Sequence, residues 1–271
     1  MSQTRADWLD DFAAIVKTGS IIDLARPLAW DTPSHVMHTP FMGRLASQHG
    51  DAARPGDVSV ASDVFTMGTH VGTHIDGLGH IGHCGLIHGG VDPHTISTRR
   101  DGFTQFGAET IRPFVCRGVL LDVAGYLGVE HLPADREITL SDIQGTAHSQ
   151  GISIKAGDCV CIRTGWTKTW HDIPTYIGGR GGAPGPGRES AVWLGEQKIF
   201  ATGADTLAWD KMPSNGMPAH VEFLVKRGIY IIEVLDLEEL AERAIYEFIF
   251  AAAPLKIVGA TGAPLRPFAI I

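Results

Sequence analysis

Residues 70–80 read His70-Val71-Gly72-Thr73-His74-Ile75-Asp76-Gly77-Leu78-Gly79-His80, placing imidazoles and a carboxylate at short intervals with glycines between them. A helix could put His70 and His74 on one face, but Asp76 would point away from that face and three glycines disfavour the conformation. The helical zinc-peptidase pair is excluded as well, because Val71 stands where that pattern needs Glu. An extended segment fits better: positions 70, 74, 76 and 80 have the same parity, so all four side chains start on one face. A straight strand would separate His70 from His74 by about 13 Å, at roughly 3.3 Å per residue. Ligands to one metal must instead bring their donor atoms to about 2.0–2.2 Å from it. The backbone is therefore expected to bend, with Gly72, Gly77 and Gly79 supplying bulges and positive φ.

The surroundings strengthen the metal reading. Six of the 13 histidines (His70, His74, His80, His83, His88 and His94) fall within 25 consecutive residues, where an even spread would place about one. His70, His74 and Asp76 suit Zn²⁺ or another divalent ion and leave room for water, which is the open type of site used in catalysis. A divalent ion activates water and polarises a carbonyl, and a nearby histidine can carry the proton to the leaving nitrogen. His80 is the candidate for that role, with a fourth metal ligand as its alternative. His83, His88 and His94 read as polar loop residues.

Outward from this segment, the chain is a globular one. Its 271 residues are 44% apolar and carry a net charge of −8, which excludes disorder and argues against a nucleic-acid surface. The first residues form no basic-then-apolar leader, and no apolar run approaches a membrane span, so a cytoplasmic location is expected. Four scattered cysteines do not make a disulfide framework, and Cys159 and Cys161 read as small hydrophobes on one face of a strand.

Residues 4–17 predict an amphipathic helix built on Trp8, Phe12, Ile15 and Val16. Strands are expected at the start of residues 21–33 and over residues 61–69, 118–123, 158–164, 199–202 and 229–234, with irregular chain over residues 40–60. Helices are expected over residues 140–148, 190–197 and 218–227, the first opened by a capping box from Ser141 to Gln144. Strands and short helices interleave without a composition shift, which predicts one mixed α/β domain over residues 1–271. Residues 178–188 (GGRGGAPGPGR) read as a surface loop, with a mobile lid as the alternative.

The stretch HVGTHIDGLGH resembles the His-x-Gly-Thr-His-x-Asp-x-x-x-His signature of the metal-dependent cyclase-like hydrolases, which include bacterial kynurenine formamidase and isatin hydrolase. Weaker likenesses follow in IIDLARPLAWDTP, GDCVCIRTGW, ATGADTLAWD and the pair His220 and Glu233. Gly77-Leu78 departs from the formamidases, which place a proline after the Asp. The resemblance implies a mixed, largely antiparallel β core of the swivelling β/β/α kind, flanked by helices. It implies His70, His74 and Asp76 as metal ligands and His80 as proton donor and acceptor. In two-metal relatives, the positions of His220 and Glu233 complete the site. It also implies an oligomer, a homodimer or homotetramer.

Read on its own, Glu233 ends the apolar run IYII, where a buried carboxylate needs a partner such as a metal, or else it opens an acidic surface run. His220 would otherwise be a surface histidine at a helix start. Asp205 and Asp210 read as turn formers rather than supports of the site, and Trp30, Phe41 and Trp209 as walls for an apolar substrate. The function expected is hydrolysis of a C–N bond in a small formamide or cyclic amide by metal-activated water, using one or two Zn²⁺ or Mn²⁺ ions. Lactone hydrolysis, a cyclase or dehydratase reaction on the same metal, and metal-dependent ligand binding without turnover are the alternatives.

Overall fold

The computed structural model describes residue 10, residues 13–15, residues 17–52 and residues 55–271. Of the amphipathic N-terminal helix, Trp8, Phe12 and Val16 lie outside the described residues. The short strands of the first part of the chain are β1 (Ile21–Asp23), β2 (Met42–Ser47), β3 (Ser62–Thr66), β4 (His74–Asp76), β5 (Ser97–Thr98) and β6 (Gly102–Phe103). Then come β7 (Phe114–Asp122), β8 (Glu137–Ile138), β9 (Cys159–Arg163), β10 (Gly185–Pro186) and β11 (Ala201–Ala204). The last four are β12 (Tyr230–Glu233), β13 (Glu247–Ala252), β14 (Gly262–Pro264) and β15 (Phe268–Ile270).

Nine of these make one mixed sheet in the order β1-β15-β13-β7-β9-β11-β12-β4-β14. The central run β7-β9-β11-β12 is parallel, and the flanking pairs are antiparallel. Parallel strands must be covered on both faces, and β9 shows how the sequence provides for it. Cys159 and Cys161 enter one apolar cluster, while Val160 and Ile162, of opposite parity, enter the other. The second cluster is roofed by Ile143 and Ala147, Ala191 and Leu194, and Phe223 and Leu224. These belong to the helices Leu140–Ser149 and Arg188–Glu196 and to the π-helical segment Val221–Arg227. The first cluster joins Ile22 on β1 with Ala263 on β14. Those strands stand at opposite ends of the strand order, so the sheet curls around this core. Each fully buried side chain such as Phe250 or Leu120 contributes about 1.5–3 kcal/mol.

The mixed α/β architecture is the one expected, and four local expectations are corrected. The helix at residues 140–149 is capped by Thr139, whose side chain accepts from the Asp142 amide while Asp142 reaches back, so the capping box lies two residues before Ser141–Gln144. Residues 42–47 are a strand rather than irregular chain, because their backbone groups find β3 across a hairpin although no apolar alternation announces it. Of the three glycines around the histidines, only Gly72 has positive φ; Gly77 and Gly79 are needed for close approach. A Cβ at Gly77 would stand 2.9 Å from the Thr261 carbonyl. Finally, residues 182–187 are buried rather than a surface loop. Gly185 and Pro186 pair with β8, and Ala183 bridges to Met212.

Candidate metal centre

Thr73 fixes the entry to β4: its hydroxyl donates to the Val234 carbonyl at 2.6 Å and accepts from the Arg26 amide. With φ of 66° at Gly72, the Gly72 carbonyl meets His74 Nδ1 at 2.8 Å. That hydrogen bond occupies the Nδ1 proton, so Nε2 faces inward as the nitrogen a metal can take once it gives up its own proton. The antiparallel register of β4 on β12 then sets Glu233 opposite His74. His220 reaches the same point from the helical segment that begins at Pro218.

The result is a closed ring of four buried side chains. His74 Nε2 lies 3.5 Å from Asp76 Oδ1 and 3.3 Å from Glu233 Oε2. His220 Nε2 lies 3.5 Å from Asp76 Oδ2 and 3.1 Å from Glu233 Oε1. Donors about 2.1 Å from a tetrahedral centre stand about 3.4 Å apart, so each of these separations suits two ligands of one cation, with His74 and His220 facing different oxygens of Asp76 and Glu233. His74 Nε2 and Asp76 Oδ2 are buried without a hydrogen-bond partner, a cost that a metal removes. Two groups of potential ligands share Asp76: His70 with His74 and Asp76, and Asp76 with His220 and Glu233.

The electrostatics of the ring follow from burial and close pairing. Burial opposes charge on His74, but the Asp76 and Glu233 carboxylates outweigh it and raise the imidazole to about 10. Burial and the Asp76 charge push Glu233 up, yet His220 and His74 outweigh them and hold it at about 2. Asp76 is likewise drawn well below the carboxylate range, burial being overcome by His80, His70 and His220. The carboxylates are thus held as anions, the form a cation requires, and the proton that the same field keeps on His74 is the one a cation would displace.

His70 is held differently. Its Nδ1 lies 2.7 Å from Asp76 Oδ1 and its Nε2 2.8 Å from the Thr261 hydroxyl, so both ring nitrogens are hydrogen-bonded. His80 stacks on His70 with ring centroids 3.9 Å apart, and its ring is 6.4 Å from that of His220. Burial lowers His80 to about 4, so it stands as a neutral imidazole able to accept a proton. His88, one of the three expected loop histidines, bonds the Val225 carbonyl, whereas His83 and His94 are exposed.

Two residues read as turn formers do more. Asp210 accepts from His220 Nδ1 and from the Ala219 and His220 amides, fixing the ring that faces Glu233. Asp205 accepts from the Thr164 amide and hydroxyl and the Gly165 amide, joining β11 to the end of β9. Sequence gives no signal for the first of these links beyond a carboxylate ten residues before a histidine.

Above the ring lies a cavity of about 340 Å³, with His80, His220 and Glu233 at its floor and Met37, Ile177 and Leu207 among its walls. The three aromatic residues expected to line it do not. Trp30 is 67% exposed on a turn, and Phe41 stacks on Phe65 beside the β2–β3 hairpin. Trp209 is wholly buried, its indole donating to the Thr202 hydroxyl and packing on Phe223. Only its backbone serves the site, the amide donating to Glu233 Oε1 at 2.8 Å. His35 and His38, which do line the cavity, precede the hairpin in polar sequence that carries no motif.

Known proteins resemble this chain over most of its length. Kynurenine formamidase of Bacillus cereus is 27% identical over 253 residues, spanning 93% of this chain and 97% of that one. The crystal structure of a novel cyclase superposes with a TM-score of 0.87 at 29% identity, covering 96% of this chain and 89% of the other. Isatin hydrolase A from Ralstonia solanacearum superposes with a TM-score of 0.76 at 26% identity over 100% and 98% of the two chains. The Cyclase family model matches residues 22–211, a span that contains the HVGTHIDGLGH segment and Asp210. The chain belongs to the Cyclase family.

Proposed function

We propose that this chain is a divalent-metal-dependent hydrolase that cleaves the C–N bond of a small amide, either a formamide or a cyclic amide. The observation that carries the reading is the closed ring of His74, Asp76, His220 and Glu233, whose pairwise separations suit metal ligands and whose inward atoms include two without partners. His70 would be the further ligand, now hydrogen-bonded to Asp76, and Asp76, common to both groups of potential ligands, would serve both ions if two bind. Zn²⁺ and Mn²⁺ are the ions that suit nitrogen and carboxylate donors. When bound, such an ion polarises the amide carbonyl and lowers the pKa of a water towards about 7.

The chain's own residues supply the remaining steps. The apolar walls hold the substrate body and exclude bulk water, so the carbonyl faces the floor of the cavity. His80 accepts the proton of the attacking water and returns it to the departing nitrogen as the C–N bond breaks. The products are a carboxylic acid and an amine, joined in one molecule when the substrate is cyclic. The relatives named as a kynurenine formamidase and an isatin hydrolase support an amide as the substrate.

The reading extends to a cytoplasmic homo-oligomer of two or four chains. Among the described residues no helix is long and apolar enough to cross a membrane. The β2–β3 hairpin exposes Leu45, Val64 and Phe65 by 51–60%, an apolar surface of the kind that self-association covers. Light scattering should accordingly find particles larger than the 29.1 kDa chain. The activity is tested by assaying formamides, cyclic amides and lactones with protein reloaded with Zn²⁺ or Mn²⁺. Metal-dependent release of amine is expected, and a fully metalled protein that turns over no amide overturns the reading.

A further inference from the structure

The walls of the cavity say what kind of molecule it takes. Met37, Ile81, Ile177, Leu207, Met212 and Met217 form them, and among the described residues that line it none is a lysine or an arginine. Arg180, near Ile177 in the chain, is turned to Asp172, and Arg26 is paired with Asp236 and lies over the Trp170 ring. The one carboxylate of the lining, Glu233, is already engaged by His74, His220 and the Trp209 amide. The imidazoles of His35 and His38 stand edge to face with centroids 6.0 Å apart, and His38 stacks on His70 at 5.3 Å.

We infer that the substrate is a neutral, apolar carbonyl compound of one or two rings, and that the cavity rejects analogues bearing an amino-acid or carboxylate headgroup. The size argument is direct: an apolar cavity of about 150 Å³ holds one benzene, and this one has about 340 Å³. The charge argument is stronger, because a carboxylate or ammonium taken into these walls would lose its water and meet no lysine, arginine or uncommitted carboxylate as a counter-charge. Three thioethers give the walls polarisable, adaptable contacts to an aromatic face. The inference rests on the amide-hydrolase reading for the reacting group, but the discrimination it describes belongs to the walls and is measurable without turnover.

The decisive comparison uses one reacting group with and without the headgroup. Metal-reloaded protein is assayed with 2-formamidoacetophenone and with N-formylkynurenine, and calorimetry compares their amine products, 2-aminoacetophenone and kynurenine, as ligands that cannot be hydrolysed. A kcat/KM at least about 100-fold higher for the neutral amide, with tighter binding of the neutral amine, is expected. Met37→Arg, at a position 84% exposed and so not needed for folding, should narrow the gap by raising use of the charged member. If neither amide is hydrolysed but the neutral amine still binds preferentially, the hydrolase reading falls and the inference stands. Equal or preferential binding of kynurenine, or binding of neither amine, overturns the inference.

Discussion

Asp210 Oδ2 stands 2.5 Å from His220 Nδ1, and the same carboxylate accepts the Ala219 and His220 amides. One side chain thus orients an imidazole and closes the start of the helix that carries it. The bond fixes the tautomer that leaves His220 Nε2 as a lone-pair donor towards Asp76 and Glu233. Asp210→Asn keeps the shape but weakens this support, so metal affinity is expected to fall about 10- to 100-fold. Competition with a chromogenic chelator measures it, and unchanged affinity in a folded variant would remove Asp210 from the account.

His80 lies outside the four-membered ring and stacks on His70 with centroids 3.9 Å apart. His80→Ala is expected to lower kcat by about 100- to 10,000-fold while the bound metal content stays that of the wild type. Parallel loss of metal would instead make His80 a ligand, the alternative its spacing left open.

Gly262 pairs with Asp76 across β14 and β4. A Cβ there would stand 2.6 Å from His70 Cε1 and 2.7 Å from the Ile75 carbonyl. Neither neighbour can retreat without disturbing the strand or the histidine, so Gly262→Ala should destabilise the fold by about 1–3 kcal/mol. It should also weaken metal binding. Urea unfolding at a fixed metal concentration reads the first effect, and wild-type stability would contradict the packing.

Burial raises the Asp205 carboxyl from 3.8 to about 6, against the hydrogen bonds from Thr164 that favour its charge. The folded state therefore keeps this proton to higher pH than the unfolded chain does. Its stabilising contribution is fully present below 3.8 and is lost as pH rises through about 6, a change of about 3 kcal/mol. Asp205→Asn has no such slope. The unfolding free energy of wild type minus variant should fall by about that amount between pH 4 and pH 7 in urea titrations, and a constant difference would contradict it.

The contrast between Glu233 and Asp210 shows what was legible in the sequence. Glu233 ends a strand-like apolar run, and a buried carboxylate there already demands a partner. The histidine segment exposed its own logic too, since shared parity and glycine spacing required a bent strand, and Gly72 bends it. The central strands were legible as Val- and Ile-rich runs, because parallel strands such as β9 are buried on both faces, whereas the antiparallel β13, β14 and β15 were not marked. Asp210 was hidden because its partner is a ring chosen by the turn between them, and turns carry no periodicity. The cavity walls were hidden for a related reason: Met37, Ile177, and Leu207 with Met212 come from three separate segments whose approach depends on tertiary packing. Tertiary packing likewise sets the aromatic residues apart from the walls, since Trp209 packs into the core beneath the site and Trp30 stands exposed. Residues 178–188 looked like free loop from their glycines, yet those glycines admit close backbone contact with β8 and Met212.

The central claim is that His70, His74, Asp76, His220 and Glu233 hold one or two divalent cations. Protein stripped with chelator and titrated calorimetrically with Zn²⁺ and with Mn²⁺ tests it most directly, beside His74→Ala treated in the same way. The account predicts saturable uptake of at least one of the two ions by the wild type and a large loss of affinity in the variant. Folded wild-type protein that takes up neither ion, or a variant that binds as tightly as the wild type, would contradict it.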